Sequence, residues 1–128
     1  MKLIKIQTKF NCSADDLWNL FSDVTRSDWV PFAKDILLED NIRTFIMDGV
    51  GEIKEQIIDL NNEKKTLSYS VIKSPAPLNH HLAKISVLAE TENRATLIWT
   101  SEVEPDHFEQ LIKDGMESSI TLIKKILE

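Results

Sequence analysis

The C-terminal segment sets the tightest limit on how this chain can fold. From Pro105 onward it reads as one long helix, with Phe108, Leu111, Ile112, Met116, Ile120, Ile123 and Leu127 mostly on one face. Everything between Ile36 and Val103 reads instead as strand and turn. A sheet of about seven strands must bury one of its faces, and the terminal helix is the only segment large enough to cover it. A long sheet twists and curls around such a cover. That leaves space between the layers where side chains do not meet.

The N-terminal part fits the same plan. "KLIKIQTKF" places Ile4, Ile6, Thr8 and Phe10 on one face and Lys5, Gln7 and Lys9 on the other, the alternation of a half-buried strand. Ser13 offers an N-cap, with Asp16 three residues on, to a helix whose apolar stripe is Leu17, Trp18, Leu20 and Phe21. A second short helical turn is expected through "TRSDW", before Pro31 forces Val30 into an extended conformation. Asp48-Gly49 between apolar runs signals a hairpin, and "SPAPLNHH" reads as a loop. Pro105 ends the sheet, and Asp106 with Glu109 is expected to cap the final helix. The expectation is one domain, residues 1–128, of class α+β.

Composition narrows the functions. A chain of 128 residues can bury roughly two thirds of its unfolded surface, enough for a core without covalent staples. The net charge of −6 argues against nucleic acid, which requires a basic face. Cys12 is the single cysteine, so no intrachain disulfide forms; it reads as a small packed residue. No apolar run approaches the roughly 18 residues of an integral membrane segment. The start alternates charged with apolar residues, unlike a secretory signal, so the cytoplasm is the expected location. No metal site is expected, because adjacent His80 and His81 point to opposite faces of a strand and His107 stands apart. The three glycines fit no nucleotide fingerprint, and no cofactor is implied.

The motifs "ADDLWNLFSDVTRSDWVP", "IRTF", "EIKEQIIDLN", "LSYSVIKSPAPL" and "LIWTSEV" occur in an order that resembles the START/Bet v 1-like helix-grip proteins. The chain looks closest to the polyketide cyclase/dehydrase type of the SRPBCC superfamily, over nearly its whole length. The resemblance implies a curved seven-stranded antiparallel sheet around a long C-terminal helix, with two short helices after the first strand. It also implies a hydrophobic pocket for a small molecule, often lipid-like or polycyclic. It implies no single reaction, since the fold hosts carriers, receptors, cyclases and co-chaperones. In relatives the loop corresponding to Ser74–His81 helps gate the cavity, which makes it a candidate lid; a plain surface crossover is the alternative.

Strand parity nominates the pocket residues. Ile53 and Ile57 carry Glu55 inward with them. For "NIRTFIM" either face fits the pattern, and the resemblance favours the face of Arg43, Phe45 and Met47. Tyr69 lies between Leu67 and Val71, His81 follows the parity of Ala83 and Ile85, and Trp99 and Ser101 follow Leu97. Trp18 reads as core, while Trp29, in a non-helical segment, reads as either core or pocket wall. Met116 is expected at the helix side of the gap. Gly115 interrupts the helix, either to make room for a ligand or to allow close helix–sheet approach.

Three functional readings follow. The first is binding of a small hydrophobic or amphipathic molecule between sheet and helix, oriented by Arg43, Glu55, Tyr69 and His81. The second is a cyclase/dehydratase-type enzyme with Glu55 or His81 as acid or base. The third is a co-chaperone-like interaction module using the outer face of the sheet, against which the charged character of that face counts.

Overall fold

A computed structural model describes residues 1–128. Strand β1 (Lys2–Phe10) is followed by helix α1 (Ala14–Ser22), then by β2 (Ala33–Glu39), β3 (Ile42–Met47), β4 (Gly51–Asn61), β5 (Thr66–Lys73), β6 (His80–Thr91) and β7 (Arg94–Glu104). A 3-10 turn (Asp106–Phe108) leads into α2 (Glu109–Leu127). The strands form one seven-stranded antiparallel sheet in the order β1-β7-β6-β5-β4-β3-β2. The chain leaves one edge after β1, crosses by α1, and re-enters at the opposite edge as β2.

Ser13 caps α1 as its sequence suggests, its hydroxyl accepting the Asp16 N–H at 3.0 Å. Leu17, Trp18, Leu20 and Phe21 are buried against the sheet. Trp18 belongs to this core, and its indole N–H donates to Asn62 Oδ1 at 3.0 Å. Cys12 is a buried thiol in the same cluster, its pKa pushed up chiefly by burial.

The expected second short helix does not form; residues 24–31 are turns, a bend and irregular backbone. Side chains there offer the backbone another arrangement. Asp23 accepts both the N–H and the hydroxyl of Thr25, and Arg26 makes a two-point bond to Asp28. Trp29 is then drawn into the core, edge-on to Phe21 at 5.1 Å and to Trp99 at 6.0 Å.

The capping expected of Asp106 and Glu109 is also absent. No side chain caps either the 3-10 turn or α2, because Asp106 pairs with the N-terminal ammonium of Met1 at 2.8 Å. Helix α2 is anchored at its far end instead. Lys124 Nζ donates to the Lys9 carbonyl at 3.0 Å and lies 4.6 Å from the Phe10 ring centre, while Glu128 accepts the Asn11 N–H. Ile123 is fully buried, whereas Leu111, in the first half of the helix, is 56% exposed. The helix therefore seals against the sheet at its C-terminal end and stands away from it at the other.

Candidate functional site

The gap under the first half of α2 is a cavity of about 370 Å³, within the usual range for small-molecule sites. Strands β3 to β7 supply its floor, residues 29–32 and 74–78 its sides, and residues 111–119 of α2 its roof. Among the lining residues Phe32, Val50 and Leu111 are more than half exposed and mark the rim of an opening to solvent.

All the residues nominated from the sequence lie around this one cavity: Trp29, Arg43, Phe45 and Glu55, then Tyr69, His81, Trp99, Ser101 and Met116. The Arg43 face of β3 is the inward one, with Arg43 2% and Phe45 4% exposed. Gly115 also lines the cavity, and a Cβ there would meet nothing within 4 Å. Close helix–sheet approach is therefore not its reason. Phe32, Val50 and Pro75 have no counterpart among the nominated residues. They sit in loops, where strand parity gives no direction, and Phe32 reaches the rim from a backbone with φ of +60° that no pattern announces.

The polar groups are concentrated in one wall. Arg43 and Glu55 are cross-strand partners in the β3–β4 ladder, and Arg43 Nε donates to Glu55 Oε1 at 2.6 Å. The Arg43 side chain is buried, and that of Glu55 is partly buried, 13% exposed. Arg43 Nη1 reaches the Val24 carbonyl at 3.4 Å, and the guanidinium carbon lies 4.7 Å from the Tyr69 ring centre. A buried ion pair gains attraction at the cost of desolvation; here the carbonyl and the aromatic face add to what holds the cation.

His81 sits 6.2 Å from Tyr69, centre to centre. Regular pairing between β5 and β6 stops at Tyr69 and Ala83. Beyond that point the His81 side chain takes over from the ladder: its Nδ1 accepts the Val71 N–H at 3.0 Å, and Ser70 Oγ donates to the His81 carbonyl. An Nδ1 that accepts places the ring proton on Nε2. Burial, with a smaller push from His80, lowers the imidazole pKa to about 4, so the ring is neutral at pH 7. Burial and the Glu55 charge both push the Tyr69 hydroxyl up, well above its ordinary value, with Arg43 opposing. It too is a neutral hydroxyl at physiological pH.

The indole N–H groups of Trp29 and Trp99 are buried with no acceptor, at a cost of about 1–3 kcal/mol each. No three His, Cys, Asp or Glu side chains converge as metal ligands. His80 faces the other way from His81 and pairs with Glu102 at 3.0 Å, and no helix is long and apolar enough to cross a membrane.

Comparison with known proteins agrees with this architecture. The family model described as polyketide cyclase / dehydrase and lipid transport matches residues 1–127. Among solved structures, XoxI from Bacillus cereus superposes with a TM-score of 0.90 at 18% identity, covering 99% of this chain and 96% of that one. An uncharacterised protein from Bacillus thuringiensis gives 0.88 at 17% identity, covering 98% of each chain. Norcoclaurine synthase from Thalictrum flavum, solved with dopamine and hydroxybenzaldehyde, gives 0.74 at 18% identity, covering 98% of this chain and 85% of that one. A sequence comparison with curated proteins returned no match. These structural likenesses establish the helix-grip fold, and with the match along the sequence they show that the chain belongs to the polyketide cyclase/dehydrase and lipid-transport family of the SRPBCC superfamily.

Proposed function

We propose that this protein binds a small hydrophobic or amphipathic molecule in the cavity under α2. The observation that carries the reading is the division of the cavity wall. Apolar side chains such as Phe45, Ile53, Trp99 and Met116 line most of it, and Arg43, Glu55, Tyr69 and His81 form one contiguous polar cluster. Burying the ligand's apolar part would supply affinity at roughly 25 cal/mol per Å², less the cost of ordering it, and the cluster would orient its polar end. Membership of a family that includes lipid transport and the small aromatic molecules bound by norcoclaurine synthase support a binding role for this fold.

The same geometry favours binding over acid–base turnover. Glu55 is held as the counter-ion of a buried guanidinium. The Nδ1 of His81 is occupied by Val71 and its Nε2 carries the proton, so the ring offers a donor and no free base. The net charge of −6 keeps nucleic acid out of the reading.

The experiment pairs native mass spectrometry of freshly purified protein with titration of a neutral apolar dye, N-phenyl-1-naphthylamine. The expected result is a retained small molecule, or saturable one-to-one dye binding that is abolished by Gly115→Trp in a variant that still folds. Absence of both a bound mass and saturable dye binding would overturn the proposal.

A further inference from the structure

We infer that the ligand of this cavity is an uncharged molecule whose polar end only accepts hydrogen bonds, such as a ketone, ester or amide carbonyl, and that the cavity discriminates against carboxylates and amines of the same shape. This rests on the binding role proposed above and names the chemistry it selects.

The argument begins with the directions of the unused hydrogen bonds. A guanidinium carries five N–H groups. In Arg43, Nε serves Glu55 and Nη1 serves the Val24 carbonyl, while Nη2 serves no protein atom. His81 accepts at Nδ1 from Val71, so its Nε2 is a donor, and that donor also has no protein partner. The indole nitrogens of Trp29 and Trp99 are the buried side-chain atoms that are both sealed and unpaired. Nη2 of Arg43 and Nε2 of His81 therefore keep an opening, and both residues line the cavity. Against these donors stands one inward acid, the partly buried Glu55, with Oε1 committed to Arg43. The hydroxyls of Tyr69, Ser101 and Ser119 can serve either way. The wall thus has donors in surplus, and a ligand acceptor is what they lack.

Charge then separates acceptors of different kinds. No lysine lines the cavity, and Arg43 is its one fixed cation. That cation is already neutralised by Glu55, and Asp114 stands exposed at the rim, where water screens its charge. His81 is neutral at pH 7. A carboxylate would enter as an additional anion in a largely apolar site with no cation of its own. An ammonium would meet Arg43 as a like charge, and the one inward carboxylate, Glu55, is already engaged by that guanidinium. An uncharged carbonyl gains the hydrogen bonds without either penalty, and a site built around donors rejects an analogue that leaves them unpaired.

Calorimetric titration of the full chain with four probes of one shape tests the inference: 2-acetylnaphthalene, 2-ethylnaphthalene, 2-naphthoate and 1-(2-naphthyl)ethylamine at pH 7. The ketone is expected to bind at least tenfold more tightly than each of the others. The preference should shrink by at least threefold in Tyr69→Phe or in His81→Leu, two changes that remove the hydroxyl or the Nε2 donor at nearly the same side-chain size. Equal or tighter binding of the hydrocarbon, or tightest binding of the carboxylate or the amine, would overturn the inference while leaving the binding role intact. A ketone preference unchanged in both variants would overturn the assignment of that preference to this wall. Failure of all four probes to bind to protein that still takes up the dye would overturn the inference alone; failure together with absence of a bound mass and of dye binding would overturn the binding role as well.

Discussion

His81 Nδ1 accepts the backbone N–H of Val71 at 3.0 Å at a point where the β5–β6 ladder has already ended. A side chain thus does the work of a strand, and the residue doing it is also part of the cavity wall. Replacing His81 with alanine removes the acceptor and leaves the Val71 N–H without a partner. The expected loss is about 1–3 kcal/mol of stability, read from urea denaturation, with faster hydrogen exchange at the Val71 amide than in the parent protein.

Burial of the same side chain, with a smaller push from His80, gives stability a pH dependence. The folded-state pKa of His81 is lowered to about 4 from an ordinary 6.5, so between these values the unfolded chain binds more protons than the folded one. Stability from this group is present above about pH 6.5 and is lost as pH falls towards 4. At about 1.4 kcal/mol per unit the loss is on the order of 3 kcal/mol. Denaturation midpoints measured across this window should fall with pH in the parent protein, and the slope should flatten in His81→Gln.

The Arg43–Glu55 pair should show strong coupling. Glu55→Gln leaves a buried guanidinium without its counter-ion, at an expected cost of about 3–5 kcal/mol. Replacing both residues with methionine should cost less than the sum of the single changes to methionine, because neither charge is then left alone. A double-mutant cycle by chemical denaturation measures the coupling; additive effects would rule out the pair as a unit.

Two glycines should respond oppositely to alanine. At Gly115 a Cβ meets nothing within 4 Å, so Gly115→Ala should raise stability by up to about 1 kcal/mol. Gly51 has φ of +133°, and a Cβ there would lie 2.9 Å from Cγ of Pro75. Gly51→Ala should therefore destabilise by more than about 1 kcal/mol. Thermal melts of the two variants supply the comparison.

The sheet and its inward residues were legible because strand alternation has a period of two, and one buried face fixes every second side chain. Glu55, Tyr69, His81 and Trp99 follow from that rule alone. Arg43 was not legible from its strand, since Ile42 and Ile46 make the other face equally apolar; burial of the guanidinium depends on Glu55 across the ladder. The missing second helix was hidden because Asp23, Thr25 and Asp28 are as compatible with a short helix as with the turns they make. The absent cap at α2 was hidden for a different reason. Asp106 is claimed by Met1, more than a hundred residues away, and local spacing carries no record of that.

Strand β1 pairs along its full length with β7, from Lys2 opposite Val103 to Phe10 opposite Ala95. The first strand of this sheet to be made is thus among the last to find its neighbour, and Phe10 must wait until Ala95 has been synthesised. Contacts so far apart in sequence make for slow assembly, and until β7 arrives β1 is an unpaired edge open to other chains. For this molecule the hazardous interval is the time before closure, and shortening β7 should harm its yield in cells more than an equal loss of contacts within a local hairpin.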